Sequence, residues 1–168
     1  MDLLKLWLPS LMVVAASILE GCHTNASRER ASEPAPVVMV CEHGSVKSVM
    51  AASFFNQGAA ERHLPFRAIA RGVTPDPAVP APIAAALGQE GFDVKELIPV
   101  RVSAADVAYA SRVIAIGVEP AALDSPADVS IDSWSDVPAA SEDYSAARAS
   151  LKQHVDALLT ELQQSRAR

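Results

Sequence analysis

Val37-Val38-Met39-Val40-Cys41-Glu42-His43-Gly44-Ser45-Val46-Lys47-Ser48 reads as an apolar run closing on a cysteine, then a short polar loop that contains glycine. An alanine-rich helical pattern begins directly after it, in Val49-Met50-Ala51-Ala52-Ser53-Phe54-Phe55. Strand, turn and helix start follow one another, with the one plausible nucleophile at the hinge. Backbone N–H groups of such a loop and of a first helical turn can converge on an anion. They also favour negative charge on the cysteine sulfur, which a helix N-terminus stabilises. A lone cysteine after a strand can also be a small core hydrophobe. The loop and the helix start are what point to a reactive centre.

Downstream, the pattern through Val46, Val49, Met50, Ser53, Phe54 and Ala60 predicts an amphipathic helix from about Ser48 to Glu61. His63-Leu64-Pro65 reads as a turn, and Phe66 to Arg71 as a short second strand. Prolines 75, 77, 80 and 82 exclude a helix interior and predict a rigid surface loop from Gly72 to Pro82. Pro82 to Gly91 predicts a short helix with proline in its first turn and glycine at its end. Ser103 is a good N-cap for a helical turn ending near Ala110. Arg112 to Val118 is apolar enough for a strand buried on both faces. Glu119 to Val129 reads as loop with at most one helical turn, and Ser130 to Trp134 as a brief edge strand. Apolar positions 144, 147, 151, 155, 158, 159 and 162 predict a long amphipathic helix from Tyr144 to about Gln164. Strands alternating with helices predict an α/β fold: a small doubly wound, Rossmann-like, four-stranded parallel sheet with helices on both faces. Ligands of such sheets sit at the carboxyl ends of the strands, where Cys41 and Asp136 fall.

Upstream, Lys5 is the only basic residue before a largely apolar run from Leu6 to Leu19, too short for an ordinary membrane span. The run closes on Leu19-Glu20-Gly21-Cys22, after which the chain turns polar. This is similar to a bacterial lipoprotein signal. It implies a signal peptide over residues 1–21, lipid attachment at Cys22, a flexible linker over 22–36 and a single domain over 37–168. The domain is then expected at the bacterial cell envelope, facing the periplasm or exterior, with membrane contact through its N-terminal lipid. An uncleaved amphipathic anchor or a different start site are the alternatives.

With 168 residues the chain suffices for one domain with a proper core. Half the residues are apolar but only 5% are aromatic, so the core is expected to be built from Val, Ile, Leu and Ala. The net charge of −6 argues against an electrostatic grip on nucleic acid or anionic lipid. The histidines at 23, 43, 63 and 154 are scattered without ligand spacing, so no metal site and no cofactor are expected. Of the two cysteines, lipidation of Cys22 would leave Cys41 alone and exclude an internal disulfide. An unpaired thiol in an oxidising compartment is a hazard unless it has a use.

The loop resembles the signature of the low-molecular-weight protein tyrosine phosphatases and of their relatives, the thioredoxin-coupled arsenate reductases. That signature is a strand, then cysteine, five residues, arginine and serine, opening a helix. It corresponds here to Cys41-Glu42-His43-Gly44-Ser45-Val46-Lys47-Ser48. The similarity continues through Arg71-Gly72, Ala105-Asp106, the Arg112 to Ile116 strand and the loop from Trp134 to Pro138, and covers roughly residues 37–165. It implies Cys41 as nucleophile toward a phosphoryl or arsenate centre and Ser48 as hydrogen-bond donor to its thiolate. It also implies the amides of Glu42, His43, Gly44, Ser45, Val46 and Lys47 as the oxyanion cradle.

Three departures qualify the resemblance. Lys47 stands at the arginine position, where a flexible point charge replaces a planar bidentate fork. Losing one oxyanion donor costs about 3–4 kcal/mol of transition-state binding, which sets the scale for that change. The family's acid, an aspartate directly before proline, corresponds here to Val137, with Asp136 one residue earlier. Asp136 is read either as the displaced acid or as a loop cap. The second loop cysteine of the reductases corresponds to Val46, and none follows Cys41, so arsenate reduction would need an external thiol donor. His43 is either a local acid or base or a solvent-exposed loop residue, and Glu42 is expected to point outward. The expected function is a phosphatase-like hydrolase acting on a phosphomonoester, phosphotyrosine-like or small, through a phosphocysteine. The alternatives are an oxyanion-binding module without chemistry and a reductase fed by an external thiol.

Overall fold

The computed structural model describes residues 34–126 and 129–167. The expected signal segment, the lipidation site Cys22 and most of the expected linker lie outside the described residues.

Strand β1 (Val37–Cys41) is buried along its whole length. A continuous apolar run without polar alternation suits a parallel strand covered on both faces. It pairs in parallel with β2 (Ala68–Gly72) on one side and with β3 (Arg112–Ile116) on the other. Strand β4 (Ile131–Trp134) adds in parallel beyond β3, giving the order β2-β1-β3-β4. The register sets Cys41 beside Gly72 and Val40 beside Ala115. The chain runs from β1 outward to β2 and then returns across β1 to β3. Connections leaving β1 and β3 therefore depart toward opposite sides, which opens a crevice at the carboxyl edge between them.

Helices α1 (Lys47–Glu61), α2 (Ala81–Gln89), α3 (Ala104–Tyr109) and α4 (Tyr144–Arg166) cover the sheet. Period-two alternation along β1 sorts the two faces. Val37, Met39 and Cys41 belong to a large core with Met50 and Phe55 of α1, Leu87 of α2, and Leu151 and Leu159 of α4. Val38 and Val40 belong to a smaller cluster with Val113, Ala115, Val107 of α3 and Leu123. The expected doubly wound α/β architecture, a four-stranded parallel sheet with helices on both faces, is the one observed.

The elements lie within about two residues of their sequence expectations, with local causes for the shifts. β3 stops at Ile116 because Gly117 takes a φ of +63°, a conformation open to glycine that leaves the strand direction. Ser103 and Asp106 form a reciprocal capping box, the Ser103 hydroxyl accepting the Asp106 N–H and the Asp106 carboxylate accepting the Ser103 N–H. Asp143 caps α4 by accepting the Ala146 N–H. No side chain caps α1, and no acidic residue lies in its first turn. Its first N–H groups thus keep their electropositive end available. Among the described residues no helix is long and apolar enough to cross a membrane.

One ion cluster pins α2 to α4. Arg148 donates from Nε to Glu90 Oε1 at 2.7 Å and pairs through its terminal nitrogen with Oε2, which also accepts Lys152 Nζ at 3.1 Å. The Arg148 hydrogen bonds, helped by Lys152, lower the Glu90 carboxyl to about 2. A depressed carboxyl contributes stability above its unfolded value and loses it as pH falls through the folded one. Urea midpoints measured across pH are therefore expected to decline from about pH 4.5 to 2, and Glu90→Gln to remove that part of the decline. At neutral pH the substitution is expected to cost about 1.5–3 kcal/mol, the range for hydrogen bonds to a charged group. An unchanged neutral-pH midpoint would show that the cluster contributes nothing.

Candidate active site

The carboxyl end of β1 delivers Cys41 to the crevice beside β3. The sulfur is 3% exposed at the residue level and has two partners. The Ser48 N–H donates to Sγ at 3.4 Å, and Ser48 Oγ lies 3.2 Å from Sγ. As a thiol the cysteine donates to that hydroxyl; as a thiolate it accepts from it. Ser48 itself is fully buried, so its hydroxyl has no competing solvent. Both partners come from the first turn of α1, where the helix dipole also favours an anion.

The loop from 42 to 46 is held by the segment that follows β2. Val73 N–H donates to the Cys41 carbonyl at 3.1 Å, Thr74 N–H to Glu42 at 2.8 Å and Asp76 N–H to His43 at 3.0 Å. Gly44 has a φ of +63° and packs directly on Gly72. A Cβ at 44 would stand 2.8 Å from the Gly72 nitrogen, and a Cβ at 72 would stand 2.7 Å from the Gly44 nitrogen. Two glycines therefore permit the loop to turn against the end of β2, and that contact sets its shape.

A pocket of about 280 Å3 opens above this loop, lined by Cys41, Glu42, His43, Ser45, Val46, Lys47, Asp76 and residues 139–141. Most of the site residues read from sequence thus meet here. Lys47 lies with its Nζ against Gly117 at the end of β3, and its Cε would be 3.5 Å from a Cβ at that position. Among the described residues no carboxylate lies within ion-pair distance of Lys47. It is the cation of the pocket lining. Glu42 is exposed, and its carboxylate accepts the Thr74 hydroxyl at 2.6 Å.

Asp136 goes elsewhere. Both of its carboxylate oxygens face His154 Nε2 of α4, at 2.9 and 3.0 Å, and the His154 ring stacks on Trp134 with centroids 4.8 Å apart. The hydrogen bond from His154 holds the Asp136 carboxyl below the usual carboxylate range. Asp136 is absent from the pocket lining at Cys41, and its neighbour Val137 is buried in the large core. Asp136 and Val137 point to opposite surroundings because the loop sends the apolar residue inward.

Asp76 and residues 139–141 of the lining, and Gly117 against the Lys47 side chain, escaped the sequence reading. Asp76 enters the pocket from the loop after β2, where Ser45 Oγ donates to its Oδ2 at 2.5 Å. Gly117 makes room for the Lys47 side chain. The signal for Asp76 was present as an Asp76-Pro77 pair inside the proline-rich segment. It sits about sixty residues before the place where the resemblance leads one to look for such a pair.

Neither a protein-family model nor a curated protein matches the sequence. Solved structures do match the fold. A low-molecular-weight phosphotyrosine phosphatase from Vibrio cholerae superposes with a TM-score of 0.69 at 17% identity, covering 77% of this chain and 97% of its own. A low-molecular-weight protein tyrosine phosphatase from T. tengcongensis gives 0.66 at 19% identity, covering 75% and 98%. An arsenate reductase from Archaeoglobus fulgidus gives 0.61 at 24% identity, covering 74% and 98%. The fold of the described residues thus resembles that of the low-molecular-weight phosphatases and arsenate reductases broadly.

Proposed function

We propose that this chain is a cysteine-dependent, phosphatase-like hydrolase of a phosphomonoester. The observation that supports it best is the buried Cys41 sulfur, which takes the Ser48 N–H and hydroxyl at the floor of the pocket lined by Lys47. In this reading the Cys41 thiolate attacks phosphorus, an S–P bond forms, and the P–O bond to the organic group breaks with its electron pair leaving on that oxygen. The amides from Glu42 to Lys47 and the uncapped start of α1 hold the three equatorial oxygens. Water then attacks phosphorus, the S–P bond breaks, and its electron pair returns to the sulfur, which the Ser48 hydroxyl steadies. Lys47 takes the place of the signature arginine as a point charge on the bound oxyanion, so binding is expected to persist while turnover is slow.

Rapid quenching of the protein during turnover of an aryl phosphate tests this directly. Peptide mass spectrometry is expected to find one phosphoryl group on Cys41, and its absence under turnover would remove the covalent route. The placement of Asp136 on His154 favours a second reading, a module that binds the oxyanion without chemistry. That reading predicts saturable phosphate binding that weakens on Lys47→Ala, with no turnover above the Cys41→Ser protein.

A further inference from the structure

A hydrolase of this kind needs a proton donor for the departing oxygen and a proton acceptor for the attacking water. The loop before α4 offers neither at the pocket: Asp136 is paired with His154, and Val137 is in the core. A different carboxylate does reach the pocket. Asp76 lines it together with Cys41 and Lys47. Its backbone N–H donates to the His43 carbonyl at 3.0 Å, which locks the Asp76 backbone to the loop that carries the sulfur. Its Oδ2 accepts the hydroxyl of Ser45, a loop residue with no solvent exposure. Its Oδ1 lies 3.6 Å from His43 Nδ1, which is also 3.4 Å from the Thr74 carbonyl oxygen. The carboxylate is thus held at the pocket by groups of the nucleophile loop, while its side chain stays 37% exposed and open to exchange protons with water.

We infer that Asp76, on the loop after β2, is the proton-transfer residue of this site, and that Ser45 and His43 position it. The inference rests on the hydrolase reading above. In the first step the Asp76 carboxyl gives its proton to the leaving oxygen as the P–O bond breaks, so the alcohol departs neutral. In the second step the Asp76 carboxylate takes a proton from the water that attacks phosphorus, and the Cys41 thiolate is released with free phosphate. One proton leaves and one returns per turnover, so no further reactant is needed. A bound phosphate dianion beside a carboxylate is relieved when a proton is shared between them, which suits the order of these steps. The other titratable groups at the pocket are Cys41, Glu42, His43 and Lys47, and Glu42 is already engaged by Thr74.

Leaving-group dependence separates this role from a structural one. Phenyl phosphate, whose leaving oxygen needs a proton, and 2,4-dinitrophenyl phosphate, whose leaving oxygen does not, are turned over by the wild-type, Asp76→Asn and Asp136→Asn proteins. Asp76→Asn is expected to slow the phenyl ester by about 10²–10³-fold, within the range for a lost general acid, while the dinitrophenyl ester loses less than about tenfold. Inorganic phosphate is expected to inhibit Asp76→Asn at least as tightly as wild type, since a negative charge has left the pocket, and this shows that the cradle is intact. Asp76→Glu is expected to recover part of the phenyl ester rate. Asp136→Asn is expected to change both esters by the same factor. Equal slowing of both esters by Asp76→Asn, or leaving-group selectivity in Asp136→Asn instead, overturns the assignment. Failure of the wild-type protein to exceed Cys41→Ser on either ester removes the hydrolase reading, and this inference with it.

Discussion

Cys41→Ser is expected to abolish aryl phosphate turnover, by at least about 10³-fold, while leaving the fold and phosphate binding in place. The size follows from the chemistry: an alcohol at this position has no neighbouring base strong enough to ionise it, and the covalent step is lost with the thiolate. The fold survives because serine fills nearly the same volume, and the Ser48 N–H and hydroxyl can still bond to its oxygen. Burying that hydroxyl among apolar neighbours costs little when it stays hydrogen-bonded. The measurement is steady-state turnover alongside phosphate binding by calorimetry on the same preparation. Residual turnover within tenfold of wild type would sink Cys41 as nucleophile. Retained binding with lost turnover separates chemistry from the cradle.

Gly44→Ala is expected to be the most damaging small substitution in the loop. The position needs a left-handed backbone, which costs about 1–3 kcal/mol for a residue with a side chain. The new methyl would also stand 2.8 Å from the nitrogen and 2.9 Å from the Cα of Gly72, backbone atoms that cannot rotate aside. Overpacking of that kind adds about 1–3 kcal/mol. Relief requires the loop to lift from the end of β2, breaking the bonds from Val73, Thr74 and Asp76 that shape it. A lower thermal midpoint and a loss of phosphate binding are therefore expected together. Gly88→Ala serves as control, because nothing lies within 4 Å of a Cβ there and the helix gains propensity. Loss of stability in Gly44→Ala with undiminished phosphate affinity would show that the loop shape is not what binds the anion.

Much of the fold was legible because its signals are local. The apolar run of β1, the proline and glycine punctuation around α2, the Ser103 cap and the seven-point stripe of α4 each depend on residues within one element. Alternation of those elements leaves few topologies once crossovers are right-handed and short. The shape of the cysteine loop was legible for the same reason: strand end, glycine turn and helix start are contiguous in the chain, so Cys41 and Ser48 meet by local geometry alone.

The sites that join distant segments are another matter. Asp76 reaches Ser45 across thirty-one residues, and Lys47 rests on Gly117 across the sheet. The first contact depends on β2 pairing in register beside β1, the second on β3 lying against the other side of β1. Asp136 was one residue from an expected position, and no pattern in the chain says which way a loop carboxylate turns. His154, eighteen residues later on α4 and braced by Trp134, settles it by offering a partner. The individual strands, the helices and the cysteine loop could be read from the chain, since each is specified by residues close together along it. Which of Asp76 and Asp136 lines the pocket with Cys41 was settled by folding, because it depends on hydrogen-bond partners brought together by strand register and helix packing.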